Sequence, residues 1–383
     1  MTVRILQVTS DWKWTGPAAP MLDLLRAQRA GGAEVDLACP EPPPGSSASS
    51  LAARARDADA APALVFSRGR GARPLRDRED AQRLERLIRT RRYDVVHAWH
   101  TRDHVLCLRA LGVRRGRAGP RIVRSTRQAE PPSPWPWNRW LLGPGADGVW
   151  CVSPRAAERY AFLRGGRPTA GWFGCADSER FHPGPPSSAL RREFGVNADD
   201  RVIAIAARAQ PHRRFDLLLE AMVRLARREP LARLLVLGRG THLDETLRRP
   251  AQRLGLGDRV ILAGHRGGDY PEVLRLAQIF TLLVPGSDGG CRAALEAAAT
   301  GLATVASRRG VLPEIVVDGV SGLLADENPD ALAAAFAELL ANPARAIAMG
   351  HAARRRAEQG FNAEHFAERV GKLYASLGVV GPG

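Results

Sequence analysis

Pro285-Gly-Ser-Asp-Gly-Gly-Cys-Arg-Ala-Ala-Leu-Glu-Ala-Ala-Ala-Thr-Gly-Leu302 follows directly on the apolar run Ile279–Val284 and reads as strand, loop of small residues, then helix from near Cys291. That order builds an anion site. The first N–H groups of a helix have no intrahelical acceptor, and the helix dipole favours negative charge beside them. Gly289 and Gly290 let a phosphate approach the main chain without a Cβ in the way. Asp288 before the helix and Glu296 within it flank the loop with carboxylates. The plainer alternative is that Asp288 caps the helix and Glu296 pairs with Arg292 on the surface.

Outward from this stretch, the alternation of strand and amphipathic helix repeats from Arg201 onward. Strands are expected at 202–206, 234–237, 260–263, 279–284, 303–306 and 322–325, a doubly wound domain. Arg208 lies at the end of its first strand, and Arg213 is expected to open the next helix. Both fall on the carboxyl edge of the sheet together with the glycine loop, where two guanidinium groups can share a diphosphate. Three helical stretches follow Pro329, the last over 363–377.

The N-terminal half has the same rhythm, with strands expected at 5–10, 35–39, 63–66, 93–100, 121–126, 148–153 and 169–173. Residues 40–62, rich in Pro, Ser and Ala, read as a loop over the surface, and the turn-rich segment 174–186 as the domain boundary. Trp135-Pro-Trp-Asn-Arg-Trp140 has two readings, an interfacial or groove-lining patch or a loop folded back onto the core.

The chain has 383 residues and a net charge of +16, with lysine only at Lys13 and Lys372. Up to Arg180 there are 30 basic and 18 acidic residues, against 26 and 22 afterwards, so the basic excess sits in the first half. This favours an anionic partner such as a phosphorylated acceptor or an acidic membrane face. Nucleic acid is not expected, because the arginines are scattered and no binding module is present. No run of 18 apolar residues occurs and the first residues lack a signal-peptide centre, so a cytoplasmic protein is expected, peripheral at most on the inner membrane face. The five cysteines are widely spaced without a Cys-x-x-Cys pair, and neither a metal nor a disulfide framework is expected.

In combination, Arg208, Arg213, the Asp288/Glu296 pair, Gly310-Val-Leu-Pro-Glu314-Ile-Val and Asp318-Gly-Val-Ser-Gly322-Leu-Leu resemble the retaining GT-B glycosyltransferases of family 4. The Gly16 loop, Asp94-Val-Val-His97-Ala, Val152-Ser153 and Asp177-Ser-Glu-Arg-Phe181-His-Pro are similar to that family's N-terminal landmarks. The resemblance implies an α/β GT-B fold, two doubly wound Rossmann-like domains facing each other across a cleft. The expected domains are 1–180 for the acceptor and 181–362 for the nucleotide sugar, with 363–383 as a final helix crossing back to the first domain. It also implies sugar transfer from a nucleotide diphosphate sugar with retention of configuration, needing neither metal nor cofactor. Residue by residue, Asp288 takes the sugar-contacting position and Glu296 holds the ribose. Arg208, Arg213, Gly289, Gly290, Cys291 and Arg292 bind the diphosphate, and His265 and Arg266 seat the base. Gly16, His97, His100, Asp103 and Glu314 line the acceptor side or cleft. The chain departs from the pattern in two places. Asp288 is a methylene shorter than the usual glutamate, and Arg127 stands where many members have a histidine near the reacting carbon. Those departures favour one rival on the same fold, a non-catalytic nucleotide-sugar-binding protein; a second rival, a sugar-nucleotide epimerase, has no acceptor site, and the basic N-terminal half argues against it.

Overall fold

The computed structural model describes residues 2–14, 18–46, 49–67, 74–112, 119–285 and 289–379. It divides into two units, residues 1–174 with 363–383, and 175–362. The first unit contains β1 (Arg4–Val8), α1 (Ala18–Ala30), β2 (Glu34–Pro40), α2 (Leu51–Arg56), β3 (Leu64–Phe66), α3 (Pro74–Arg91) and β4 (Val95–Ala98). It continues with α4 (Thr101–Leu111), β5 (Arg121–Ser125), α5 (Pro136–Leu142), β6 (Gly148–Cys151), α6 (Pro154–Ala161) and β7 (Thr169–Gly171). Its seven strands lie in the order β3-β2-β1-β4-β5-β6-β7, every pair parallel. The order reverses between β1 and β4, where Val8 faces Ala98 in register. β4 and β6 are buried along their whole length, the pattern of strands covered by helices on both faces.

The second unit opens with α7 (Ser188–Glu193), β8 (Arg201–Ala206), α8 (Phe215–Ala226), β9 (Ala232–Leu237), α9 (Arg249–Arg253), β10 (Val260–Gly264) and α10 (Tyr270–Leu274). Then come β11 (Ile279–Leu282), α11 (Arg292–Ala299), β12 (Ala303–Ser307), α12 (Leu312–Ile315), β13 (Gly322–Ala325), α13 (Pro329–Ala341) and α14 (Pro343–Gly360). Its parallel sheet runs β10-β9-β8-β11-β12-β13 and reverses between β8 and β11. Helix α8 shows why the layer is stable. Phe215, Leu218, Leu219, Met222 and Leu225 recur at helical spacing, all buried, in one cluster with Leu332, Phe336 and Leu339 of α13. Each such side chain contributes roughly 1.5–3 kcal/mol by leaving water.

The last helix, α15 (Ala363–Ser376), belongs to the first unit. Its Tyr374 hydroxyl is 2.7 Å from His97 Nδ1, and Gln28 of α1 reaches the same hydroxyl.

Three expectations change. The boundary falls after Gly174 rather than at residue 180, because residues 175–181 are tied into the second unit. Ala176 N donates to Phe361 O, and Arg354 Nη1 donates to the carbonyls of Ser178 and Phe181. Residues 40–62 are not a bare surface loop. Ser50 caps α2, and Leu51, Ala52, Ala55 and Ala60 are buried, since small side chains let a short helix lie close to the sheet. The tryptophan segment does not fold back as a whole. Trp140 packs on the core, whereas Trp135 is 72% and Trp137 56% exposed at the start of α5.

Candidate functional site

In an open parallel sheet, ligands bind beyond the carboxyl ends of the strands where the order reverses. In the second unit that point lies between β8 and β11, and the residues around it come from the two following loops. Arg208, just past β8, is exposed. Arg213 does not open α8 as expected. It ends a 3-10 turn (Pro211–Arg213), and Arg214, in the left-handed region at φ 58°, caps the helix instead. Arg213 is buried, and its Nη1 donates to Val284 O at 3.0 Å and Pro285 O at 2.8 Å, joining the exit of β8 to the exit of β11. The approach is tight on either side. A Cβ on Gly238 would lie 2.1 Å from Ala207 O, and one on Gly310 would lie 2.7 Å from Pro285 Cγ. At both places the absence of a side chain lets neighbouring loops close on the strand ends.

After β11, Asp288 lies outside the described residues. Gly289 (φ 65°) and Cys291 (φ 51°) take left-handed backbone, which turns the chain into α11. Cys291 caps through its carbonyl, which accepts from Ala294 N at 2.8 Å, and its thiol is buried. Gly290 and Arg292 stand half-buried beside it. Glu296 is 7% exposed, and Arg292 Nε holds its Oε1 at 2.8 Å. The pairing is the expected one, but it is buried rather than on the surface. Burial raises the Glu296 carboxyl above the usual glutamate value, while Arg292, the Tyr270 hydroxyl and Arg180 pull it back down. Tyr270 stands edge-on to Phe181, ring centres 5.5 Å apart.

The base-seating pair divides. His265 is exposed after β10, while Arg266 is held by Glu193 at 2.8 Å and by Asp269 and lies over Phe194. Glu314 is half-buried on α12 in the second unit, and its carbonyl accepts from Arg356.

In the first unit the reversal lies between β1 and β4. Gly16 is outside the described residues. Two expected cleft residues are instead internal. His97 is fully buried between Tyr374 and Ser125 Oγ, at 2.7 Å from each, and stacks on Trp99. Burial, with the Arg124 charge second, lowers it to about 3, so it is neutral. Asp103 is 1% exposed and accepts from His100 N at 2.9 Å, capping α4. His97 is internal because β4 is covered on both faces, and Asp103 because its carboxylate turns back onto the N–H of His100. His100 and Arg127 do meet at the carboxyl edge. His100 Nε2 is 3.0 Å from Asp11 Oδ2, and Arg127 Nη2 is 3.2 Å from the same nitrogen and also meets Nδ1. Asp11, Thr9 and Arg124, which join this cluster, were not among the expected site residues. Their signal was a polar residue just past, or at the end of, an apolar strand.

Among the described residues there is no group of three or more His, Cys, Asp or Glu arranged to hold a metal ion, and no single helix is long and apolar enough to cross a membrane.

Residues 187–356 match the family model "Glycosyl transferases group 1", and residues 15–169 match "Glycosyltransferase Family 4". The chain is 35% identical over 290 residues to a GDP-mannose-dependent alpha-(1-6)-phosphatidylinositol monomannoside mannosyltransferase of Mycolicibacterium smegmatis, covering 72% of this chain and 74% of that one. It is 38% identical over 182 residues to a D-inositol 3-phosphate glycosyltransferase of Segniliparus rotundus, covering 46% and 40%. Among solved structures, Anabaena Alr3699/HepE in complex with UDP and glucose superposes with a TM-score of 0.78 at 18% identity, covering 98% of this chain and 100% of that one. The chain therefore belongs to the group 1, family 4 glycosyltransferases of GT-B fold, and it is a glycosyltransferase that works with a nucleotide sugar.

Proposed function

We propose that the protein transfers a hexosyl residue, with mannose from GDP-mannose the first donor to test, to a phosphate-bearing or lipid-linked glycan acceptor, with retention of configuration and without a metal ion. The observation that carries the reading is Glu296, a buried carboxylate clamped by Arg292 in the first turns of α11 at the sheet's reversal point. In that position it accepts hydrogen bonds from two vicinal ribose hydroxyls, which orients the nucleotide with its diphosphate toward Gly289, Gly290, Cys291 and the start of α11. Arg208 and Arg213 add positive charge on the β8 side of the same point. Together with the helix amides they stabilise the departing diphosphate, the role a divalent cation plays elsewhere. Asp288 is assigned to the sugar hydroxyls, His265 to the base, and Arg127 to the reacting end of the acceptor side.

The donor is suggested by the mannosyltransferase relative, and the acceptor class by the inositol-containing acceptors in the relatives' names together with the basic first half of this chain. The exposed Trp135 and Trp137, with exposed Arg139 on the same short helix, favour peripheral contact with an acidic membrane face from the cytoplasmic side.

The test is release of nucleoside diphosphate from a panel of nucleotide sugars, in chelator and with or without a lipid extract, with Glu296→Ala as control. Turnover of GDP-mannose in chelator that vanishes in the control supports the reading. Turnover that needs added Mg²⁺ or Mn²⁺, or that survives in Glu296→Ala, overturns it.

A further inference from the structure

The carboxyl edge of the first sheet carries a charged cluster built from three strand ends. Asp11 and Thr9 follow β1, His100 follows β4, and Arg124 and Arg127 end and follow β5. Thr9 Oγ1 accepts from Asp11 N at 3.2 Å and lies 3.3 Å from His100 Nε2. Asp11 Oδ2 is 3.0 Å from His100 Nε2 and 3.7 Å from Arg127 Nη1. Arg127 Nη2 only donates, so it can bond only the ring nitrogen that lacks a proton, and its 3.2 Å approach to the other is a contact. A carboxylate only accepts, so Nε2 carries the proton and donates to Asp11, which leaves Nδ1 to accept from Arg127 Nη2. Asp11 thus fixes the ring, and the ring fixes the guanidinium.

Behind this chain lies Arg124, 8% exposed. Its Nη2 donates to Thr101 Oγ1 at 2.8 Å, whereas its buried Nη1 has no partner among the described residues. Burial, together with the repulsion of Arg127, lowers Arg124 to about 10 and leaves it charged at neutral pH. Its nearby counter-charge, Asp103, is occupied with the N–H of His100 and the Ser10 side chain. Arg124 is therefore one acceptor short at Nη1, and its charge and that of Arg127 repel each other. An anion added there satisfies both conditions, and in a poorly solvated setting its attraction to a second, buried charge is little screened.

We propose that Arg127, backed by the field of Arg124, forms a phosphate-binding subsite in the first unit for a phosphate carried by the acceptor, and that Asp11 and His100 are positioning residues that hold the Arg127 guanidinium toward it. The proposal rests on the reading above that the acceptor bears phosphate. Arg127 presents a planar fork suited to two phosphate oxygens, so lysine in its place keeps the charge but not the fit. Asp11 and His100 do not touch the phosphate.

The experiment is calorimetric binding of D-inositol 3-phosphate, inorganic phosphate and uncharged inositol to the full chain, as wild type, Arg127→Gln, Asp11→Asn and the double variant. Thermal unfolding serves as the fold control and GDP binding as a second arm. The phosphate-bearing probe should bind at least about 10-fold tighter than inositol, and Arg127→Gln should remove that advantage. Asp11→Asn should weaken the probe by about 3- to 10-fold, and the double variant should bind no more weakly than Arg127→Gln alone, the signature of a residue acting through another. Equal binding of inositol and its phosphate by the wild type overturns the subsite. Loss of GDP binding in Arg127→Gln with the probe unaffected overturns it in favour of the donor's diphosphate. Additive losses overturn the positioning role of Asp11. Phosphate-dependent probe binding without turnover of any nucleotide sugar leaves the subsite standing and counts against the transfer reaction, so the two failures are told apart.

Discussion

Both sheets are parallel, doubly wound and reversed at their middle, yet their reversal points use polar residues in opposite ways. In the second unit, Arg208 is exposed and the buried Glu296 is held by one arginine beside a left-handed turn. In the first unit, most of the equivalent residues serve the fold. His97 joins β4 to α15 through Tyr374, Asp103 caps α4, and Ser153 caps α6. The difference shows that a polar residue at a strand end marks a place in the topology, not a role. The role depends on which face the residue takes and on whether another element covers that face.

The comparison can be broken most sharply at Glu296. Glu296→Ala should lower kcat/KM for the donor by about 10²- to 10³-fold, the loss of charge-assisted bonds to the ribose, while the unfolding midpoint stays close to wild type. A donor kcat/KM within a few-fold of wild type would remove the contrast between the two reversal points. The first unit should respond the other way. His97→Asn should destabilise the chain by about 3 kcal/mol in denaturant unfolding, as two buried hydrogen bonds are disturbed, with donor affinity unchanged.

Titration sharpens the same contrast. His97 is lowered in the folded state, so its contribution is complete above its ordinary value of 6.5 and is lost as pH falls toward about 3. Wild type should lose stability more steeply than His97→Asn across that window, measured by denaturant unfolding at several pH values. Glu296 is raised in the folded state, so its carboxylate, and with it donor affinity, is lost as pH falls through a value above that of an ordinary glutamate. Arg292→Gln removes a charge that favours the carboxylate, so the acid limb of donor kcat/KM should move to higher pH; a shift to lower pH would mean that Glu296 is not the titrating group. The smallest effect is expected at the surface. Trp135→Ser with Trp137→Ser should reduce co-flotation with acidic vesicles by about 5- to 10-fold, at unchanged unfolding midpoint.

Much of the fold was legible because periodicity survives without coordinates. The apolar runs at 202–206, 279–282 and 95–98 are strands close to where their sequence puts them, and the alternation with amphipathic helices implies parallel crossovers. The stretch from Gly289 to Glu296 was legible as a loop and helix because glycines, a run of alanines and a spaced glutamate each have a local conformational meaning. Arg213 was placed on the right loop, but its burial against the carbonyls of Val284 and Pro285 was not legible, since they are over seventy residues away. Asp11 and Arg124 were missed for the same reason, as their partners come from other strands.

By itself, then, the sequence determined the two parallel sheets, the glycine loop before α11 and the excess of positive charge in the first half, all of which follow from local backbone preference, hydrophobic period and composition. The tertiary structure alone decided that His97 and Asp103 face inward, that residues 175–181 belong to the second unit, and that Asp11, His100 and Arg127 converge. Those outcomes depend on contacts between residues far apart in the chain, and burial, which sets both the charge state and the accessibility of a polar group, exists only once those contacts are made.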